Sequence, residues 1–548
     1  MSSSSGGATG SGLLSASVSS ASSLMALQLF SRLFTFALNQ ALFRLASPTA
    51  FGAAAIQLEL LLSTILFLSR EGVRNALLRA PQFANSKSEN SNAQTRRRNL
   101  AFLPLLLGIP LALAASAGYG QLAGHEIKAQ PRFELTVAIY ALAAVAELCS
   151  EPLYNVAMGE LQTGVRVRAE GLGITAKSIA AFAVLYFGSA DLALVGFALG
   201  QFMYSLVMLA AYVAYLGFAP LWPKRISTSR GLLTQVDQDT LHLSFTMTLQ
   251  SLVKHVLTEG DKVVLSWFSP LRDQGGYAIA VNYGSLIARI VFQPIEETLR
   301  VFFSRTLSKS SAAADEGRTA AMHQAANTLR GLLSAQTSLS LILITFGAPY
   351  LPIVLPILLP PQYMSTSAPQ VLGAWLFYIP VLAVNGALEA FLSSVASSKD
   401  LNKQSRWMIA FSMVYILSAI GLYRAGFGDA SLVYANIINL SVRIAYCLLF
   451  VQRYFASHLS GSSLALRQML PSLYLIIACS ASAALVILNT RRGNLDRVVV
   501  RLGRRALLQP AVLGHVALGG GLALLCTLVW WTTSGRYLAP SIRKSKSD

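Results

Sequence analysis

Apolar runs of roughly 18 or more residues recur along the whole chain, each long enough to cross a bilayer as a helix. Short polar connections separate them. The pattern predicts about fourteen spans, at 21–45, 49–69, 99–120, 133–158, 170–189, 192–217, 242–268, 276–301, 332–357, 368–395, 405–425, 430–452, 470–489 and 511–533. The fold class expected is therefore an all-α polytopic membrane protein. A repeat lies within the pattern. Around spans 1 and 2 the chain reads S-P-T-A-F-G, an apolar run, then S-R-E-G-V-R-N. Around spans 7 and 8 it reads S-P-L-R-D-Q-G-G, an apolar run, then Q-P-I-E-E-T-L-R. In each, an acidic residue precedes an arginine by three places, Glu71 before Arg74 and Glu297 before Arg300. Two six-helix halves, 21–217 and 242–452, are expected, joined by a linker at 218–241. A helix pair at 453–533 and polar tails at 1–20 and 534–548 complete the chain. Transporters are often built from such repeats. Chance likeness between apolar helices is the competing explanation.

Composition agrees with the pattern. Over 548 residues the chain is 54% hydrophobic and 12% charged, with a mean hydropathy of +0.54. Soluble domains carry about 25% charged residues. The net charge of +19 would suggest nucleic acid in a soluble protein, whereas here it reads as cytosolic loops obeying the positive-inside rule. Connections after even-numbered spans are basic: Arg96 to Arg98, Arg166 and Arg168, Lys224, Arg225 and Arg230, Arg305, Lys309 and Arg318, and Lys399, Lys403 and Arg406. Both termini are accordingly expected in the cytosol. One loop departs from this rule. Residues 490–510 should be lumenal, yet hold Arg491, Arg492, Arg497, Arg501, Arg504 and Arg505. The chain ends K-S-K-S-D, the K-x-K-x-x form of an endoplasmic-reticulum retrieval signal. The Ser/Gly-rich start has no basic n-region, so the first apolar helix is expected to be retained. Cys149, Cys447, Cys479 and Cys526 fall in apolar segments with neither disulfide nor zinc spacing. No G-x-x-x-x-G-K-[ST] loop exists, so ATP is not bound in the P-loop manner.

Against this apolar background the ionisable residues are conspicuous. Gln28, Arg32, Thr35 and Asn39 share one stripe of span 1, and Glu59, Ser63, Arg70 and Arg74 one stripe of span 2. Span 8 aligns Asn282, Arg289, Gln293, Glu296 and Arg300, with a bend at Pro294. Spans 4 and 12 add Glu147, Glu151, Asn155 and Asn436, Asn439, Arg443. Span 7 spreads Lys254, His255, Glu259, Asp261 and Lys262 over about half its circumference, with Gly260 among them. A glycine there tolerates a break in the helix, and broken helices at membrane depth line wet cavities. A charge at a helix centre costs roughly 2.5–3.5 kcal/mol, so these groups must meet one another or water. Two readings stand. The charges staple helices pairwise (Lys254 with Glu259, Arg70 with Glu59, Arg300 with Glu297), or they share a polar cavity in which Arg32 and Arg443, without acidic partners on their own helices, face an anion. His255 reads as a hydrogen-bonded core histidine before a proton-coupling one. Asn439-Leu440-Ser441, a nominal glycosylation site, lies inside span 12 and reads as a polar helix contact.

Five stretches together resemble one family. They are L-F-S-R-L-F-T-F-A-L-N in span 1, L-F-L-S-R-E-G-V-R after span 2, L-T-E-G-D-K in span 7, N-Y-G-S-L-I-A-R-I-V-F-Q-P-I-E-E in span 8 and N-G-A-L-E-A-F in span 10. In this order they are similar to the eukaryotic requiring-fifty-three family of endoplasmic-reticulum proteins. The Ser-rich start and the basic 490–510 loop depart from that pattern. The resemblance implies a fold like the multidrug/oligosaccharidyl-lipid/polysaccharide exporters, two pseudo-symmetric six-helix bundles around a central cavity plus two C-terminal helices. It implies as substrate a heptasaccharide, five mannoses on chitobiose, linked through diphosphate to dolichol. It marks Arg32, Arg70, Lys254, Glu259, Asp261, Lys262, Arg289, Glu296, Glu297 and Arg300 as cavity or gating candidates.

The expectation from residues and resemblance together is a flippase for that lipid-linked oligosaccharide, from the cytosolic to the lumenal leaflet of the endoplasmic-reticulum membrane. It would act as a monomer without catalytic residues, cofactor, metal, ATP or nucleic acid. Arg32, Asn39, Glu59, Arg70, Lys254, Arg289 and Arg443 are the expected headgroup and cavity residues. Glu71, Glu259, Asp261, Lys262, Glu296, Glu297 and Arg300 are the expected gating network. Arg32, Arg70 and Arg289 would hold the diphosphate, and Glu59, Glu296 and Glu297 would pair with them in the empty cavity. Three rivals are kept: an ion-coupled small-molecule exporter on the same fold, which predicts an acid-dominated cavity, whereas spans 1, 2, 7 and 8 together hold more Lys/Arg than Asp/Glu; a non-transporting accessory protein of the glycan pathway; and a membrane glycosyltransferase, for which the chain offers no convincing D-x-D or comparable cluster on a membrane-surface loop.

Overall fold

The structure is a computed structural model that describes residues 37–79, 91–160, 162–223, 236–311, 315–458 and 466–535. Every described element is helical. Among the described residues, twelve helices are long and apolar enough to cross a membrane, and they coincide with twelve of the expected spans. The first expected span falls largely outside the described residues, and the seventh is split in two. Gln28, Arg32, Thr35, Lys224, Arg225, Arg230 and the terminal K-S-K-S-D also lie outside them.

Two compact units divide the chain, Met1–Arg272 and Asp273–Asp548. In the first, Ser47 caps the short helix Pro48–Gly52, which passes through a π-helical turn at Ala53–Leu58 into α1 (Glu59–Arg79). There follow α2 (Leu103–Leu122), α3 (Phe133–Leu148), α4 (Glu151–Gly159), α5 (Thr163–Phe187) and α6 (Ala193–Leu216). Then come α7 (Gln238–Thr258) and α8 (Gly260–Phe268). Leu58, Leu62, Ile65 and Leu66 pack with Ala112 of α2, Val137, Tyr140 and Ala144 of α3, and Phe197 of α6. Helices in lipid gain little from apolar burial against one another, so small residues that allow close approach decide the packing. Gly173 and Gly200 play that part between α5 and α6: a Cβ on Gly173 would press on the Tyr204 ring at 2.9 Å, and one on Gly200 on the Lys177 carbonyl at 2.8 Å. Gly72 does so between α1 and α7, where a Cβ would collide with Thr248 Oγ1 and the Ser244 carbonyl. α7 packs along α1 there, and α7 and α8 both fall in the first unit, whereas the sequence repeat places 242–268 at the head of the second half. Arg166 and Arg168, expected in a connection, sit on the first turns of α5, where Arg166 pairs with Glu170 at 2.8 Å.

The second unit holds α9 (Leu271–Ile287, its first two residues belonging to the first unit), α10 (Gln293–Ser311), α11 (Asp315–Leu358), α12 (Ala368–Val395), α13 (Ser398–Leu422) and α14 (Ala430–His458). It ends with α15 (Leu473–Arg492), α16 (Leu495–Leu502) and α17 (Pro510–Thr533). Phe303, Leu329, Leu333, Phe391, Val451 and Phe455 form its core. Pro294 cannot donate a backbone hydrogen bond, and the chain accommodates it with a π-helical turn at Ala288–Phe292. The far end of α11 is rich in proline, and Pro360 follows it. With no N–H at Pro360, the Pro356 carbonyl loses its helical donor. Arg504 supplies one, its Nε donating to Pro356 O at 2.7 Å and its terminal nitrogen to Leu359 O at 3.2 Å.

Candidate functional site

α1 carries its polar residues on one flank, and α3 and α4 meet that flank with two glutamates. The helix breaks between α3 and α4 at Cys149 and Ser150, with Pro152 in the new first turn, so Glu151 sits at a helix N-terminus, where the backbone dipole favours a carboxylate. Arg70 donates to Glu147 at 2.6 Å and to Glu151 at 3.2 Å. Arg74 donates through Nε to Glu151 Oε2 at 2.8 Å and through its terminal nitrogen to Oε1 at 2.5 Å. Its guanidinium also lies 3.8 Å from the centre of the Tyr154 ring. Glu151 is fully buried. This is a two-arginine, two-glutamate cluster that ties three helices together.

The expected pairing of Arg70 with Glu59 is not made. Eleven residues separate them, about 16 Å along a helix axis, which no arginine side chain spans. The partner comes from the facing helix instead. Arg300 likewise takes Glu296, one turn away at 2.5 Å, and not Glu297, which is exposed. Glu259 pairs with Lys262 at 2.8 Å across the break between α7 and α8.

Beside the cluster lies a cavity of about 360 Å³, lined by Glu59, Ser63, Arg70, Glu71 and Phe67 of α1, Glu147 of α3, Lys177 of α5, Gln201 and Tyr204 of α6, and His255 and Glu259 of α7 and its C-terminal break. Lys177 Nζ donates to Gln201 Oε1 at 2.6 Å and stands 4.0 Å from Glu59. His255 stacks on Phe67 with ring centres 4.1 Å apart, and its Nε2 is 3.4 Å from Thr64 Oγ1. That placement agrees with a hydrogen-bonded core histidine at the cavity wall. Four glutamates face one arginine and one lysine here, so this cavity has the acid-dominated balance that the ion-coupled exporter predicts. Arg70 is already engaged by two carboxylates. What the lining offers is a set of oxygen acceptors, one lysine, one amide and three flat aromatic faces.

In the second unit, Arg443 pairs with Glu389 of α12, donating through Nε at 3.0 Å and through a terminal nitrogen to the same oxygen. Glu296 lies against Gly386, where a Cβ would approach its carboxylate to 3.3 Å. Arg289 donates to the Asn282 carbonyl at 3.1 Å. The side-chain oxygens of Asn282, Asn385 and Asn439 are buried without a hydrogen-bond partner, so this unit too holds acceptors open to a donor.

Of the expected site residues, Glu59, Arg70, Glu71 and Glu259 come together in one cavity. Asn39 is half-buried on a helix at 37–45, Asp261 opens α8, and Lys254 lies on α7, its side chain not among those described. Arg289, Glu296, Glu297, Arg300 and Arg443 belong to the second unit. The sequence reading missed Lys177, Gln201, Tyr204 and Glu389. Lys177 had a usable signal, as the lone cation inside the apolar 170–189 run.

A family model described as Rft protein matches residues 16–542 of this chain. Among curated relatives, the Man(5)GlcNAc(2)-PP-dolichol translocation protein RFT1 of Yarrowia lipolytica is 33% identical over 492 residues, covering 81% of this chain and 71% of the relative. The protein of the same name from Xenopus tropicalis is 30% identical over 543 residues, 94% of each. That of Saccharomyces cerevisiae is 29% identical over 500 residues, 82% of this chain and 85% of the relative. Among solved structures, a lipid II flippase MurJ in an inward closed conformation superimposes with a TM-score of 0.55 at 13% identity, covering 92% of this chain and 98% of that one. The fold is therefore MurJ-like.

Proposed function

Because this chain belongs to the Rft protein family, we propose that it moves dolichyl-diphosphate-linked heptasaccharide, five mannoses on chitobiose, from the cytosolic to the lumenal leaflet of the endoplasmic-reticulum membrane for N-glycosylation. The names of the curated relatives and the MurJ-like fold support this reading. The finer architecture we infer is two pseudo-symmetric six-helix bundles followed by a C-terminal helix pair, both termini cytosolic.

One observation carries the site. The cavity of the first unit, about 360 Å³, is walled by Glu59, Glu71, Glu147, Glu259, Lys177 and Gln201 together with Phe67, Tyr204 and His255. Sugars present hydroxyl donors at their rims and apolar C–H faces, which carboxylates, amides and aromatic rings match. Ligand pockets run ~300–1,000 Å³, so this one takes part of the glycan at a time. In this reading the cavity holds saccharide and Arg70 does not hold the diphosphate; of the other two expected arginines, Arg32 lies outside the described residues and Arg289 belongs to the second unit. Lys177 and Gln201 orient the sugar, and Lys262 with Glu259 lets the α7–α8 break flex as the head group passes. No covalent chemistry is required.

The test is reconstitution of the purified protein with labelled dolichyl-diphosphate oligosaccharide, comparing wild type with Lys177→Met and Glu59→Gln. Loss of leaflet-to-leaflet transfer with retained folding supports the reading; unchanged transfer refutes the sugar assignment. A second reading is favoured by the saturation of Arg70 by Glu147 and Glu151: an accessory protein that holds the lipid-linked oligosaccharide without moving it. It predicts saturable binding and no transfer in the same vesicles.

A further inference from the structure

The 490–510 connection holds six arginines and one acidic residue, Asp496, and the charge bias of the other connections does not account for it. Its structure gives the arginines a definite arrangement. α16 is an eight-residue amphipathic helix between the ends of two membrane-crossing helices, α15 and α17. Leu495, Val498, Val499 and Leu502 form one face. Leu495 and Val499 are buried, together with Ala506 and Val512, in a cluster that includes Ile353 and the partly buried Tyr350 of α11. At 100° per residue, Arg497 and Arg501 fall on the opposite face. Arg491, Arg492, Arg497, Arg501 and Arg505 are exposed. Arg504 is committed to the carbonyls at the end of α11. Leu508, just before α17, is 80% exposed and apolar.

A helix pinned by its apolar face at the end of α11, and tethered at both ends to spans, lies at the level of the lipid headgroups. Arg497 and Arg501 are thus held on the exposed face of the helix. Guanidinium groups bind phosphate bidentately, and basic side chains beside an anionic leaflet each strengthen association by roughly fivefold. We infer that α16 and the arginines flanking it form a docking surface for anionic phospholipid headgroups, separate from the oligosaccharide cavity of the first unit. Leu508 inserts among the acyl chains while Arg497, Arg501 and Arg505 hold the phosphates.

Binding of radiolabelled phosphatidylserine to the full-length protein in neutral detergent tests this by scintillation proximity. R497Q/R501Q/R505Q leaves the buried face of α16 untouched. It should weaken binding by about tenfold or more while phosphatidylcholine binding stays unchanged. R497K/R501K/R505K keeps the charge and should retain most of the affinity, and wild-type binding should fall as salt rises. The control K399Q/K403Q/R406Q, at the start of α13, should bind normally. Equal loss in that control would reduce the effect to net charge and overturn the proposal, as would no loss in the glutamine triple variant. Displacement by inorganic diphosphate as effective as by unlabelled lipid would show a soluble-anion site and overturn the lipid assignment. If the glutamine variant fails to fold, the lysine variant and the salt titration decide: salt-independent binding sinks the idea.

Discussion

Removing Glu151 would expose how much of the first unit depends on one carboxylate. In Glu151→Ala, Arg74 loses both of its charged hydrogen bonds, at 2.8 and 2.5 Å, and keeps only the Tyr154 face at 3.8 Å. Arg70 keeps Glu147 at 2.6 Å. Removing one partner of a buried pair costs ~3–5 kcal/mol, because the remaining charge is left uncompensated. The arginine side chains here are 18% exposed, which lets some water reach them. The low end, about 3 kcal/mol, is therefore expected. A unit of this size shifts its melting temperature by ~2–4 °C per kcal/mol, so a drop of about 6–12 °C should appear when the detergent-purified protein is melted and followed by circular dichroism. Glu71→Ala is the matched control. Glu71 accepts one bond, from Asn75 on its own helix at 3.1 Å, and its loss should cost under about 1 kcal/mol. The double variant Arg74→Met/Glu151→Leu removes both charges and fills the space, so it should recover most of the stability. If Glu151→Ala melted like Glu71→Ala, or the double variant fared no better than the single one, the cluster would not be the tie described.

Three further outcomes are expected. Gly72→Ala should lower stability by ~1–3 kcal/mol through overpacking against Thr248 and Ser244, with Gly118→Ala, which meets no atom within 4 Å, as the silent control in the same melt. Lys177→Met should cut transfer of the lipid-linked oligosaccharide about tenfold, the worth of one charge-assisted hydrogen bond, with an unchanged melting temperature; a parallel fall in both would make Lys177 structural. Arg504→Ala should cost ~1.5–3 kcal/mol by orphaning the Pro356 and Leu359 carbonyls, whereas Arg505→Ala should leave the melt unmoved.

The spans were legible because apolar length is a one-dimensional property, and twelve of them are found where the chain's own pattern puts them. The flank on which α1 carries Glu59, Ser63 and Arg70 was legible for the same reason, since the helical repeat fixes which residues share a face. Which helix that flank meets was not. Nothing in the order of residues says that Arg70 faces Glu147 in place of Glu59, or that Arg443 finds Glu389. α7 packs along α1 at a close approach at Gly72, and a lone glycine in an apolar run carries no address. The cavity's make-up was hidden for a further reason: its walls are assembled from five helices, and Lys177, Gln201 and Tyr204 of α5 and α6 are each unremarkable in their own segments.

The π-helical turns at Ala53–Leu58 and Ala288–Phe292 each store one surplus residue inside a continuous helix. Such a wide turn can migrate. When it passes a residue, that side chain swings by about 100° around the axis while both helix ends stay fixed. Glu59 begins where the first turn ends, and Gln293 where the second ends. A one-residue deletion within either segment would lock that helix into a single winding, freezing its carboxylates in one orientation while leaving the hydrogen-bond ladder whole.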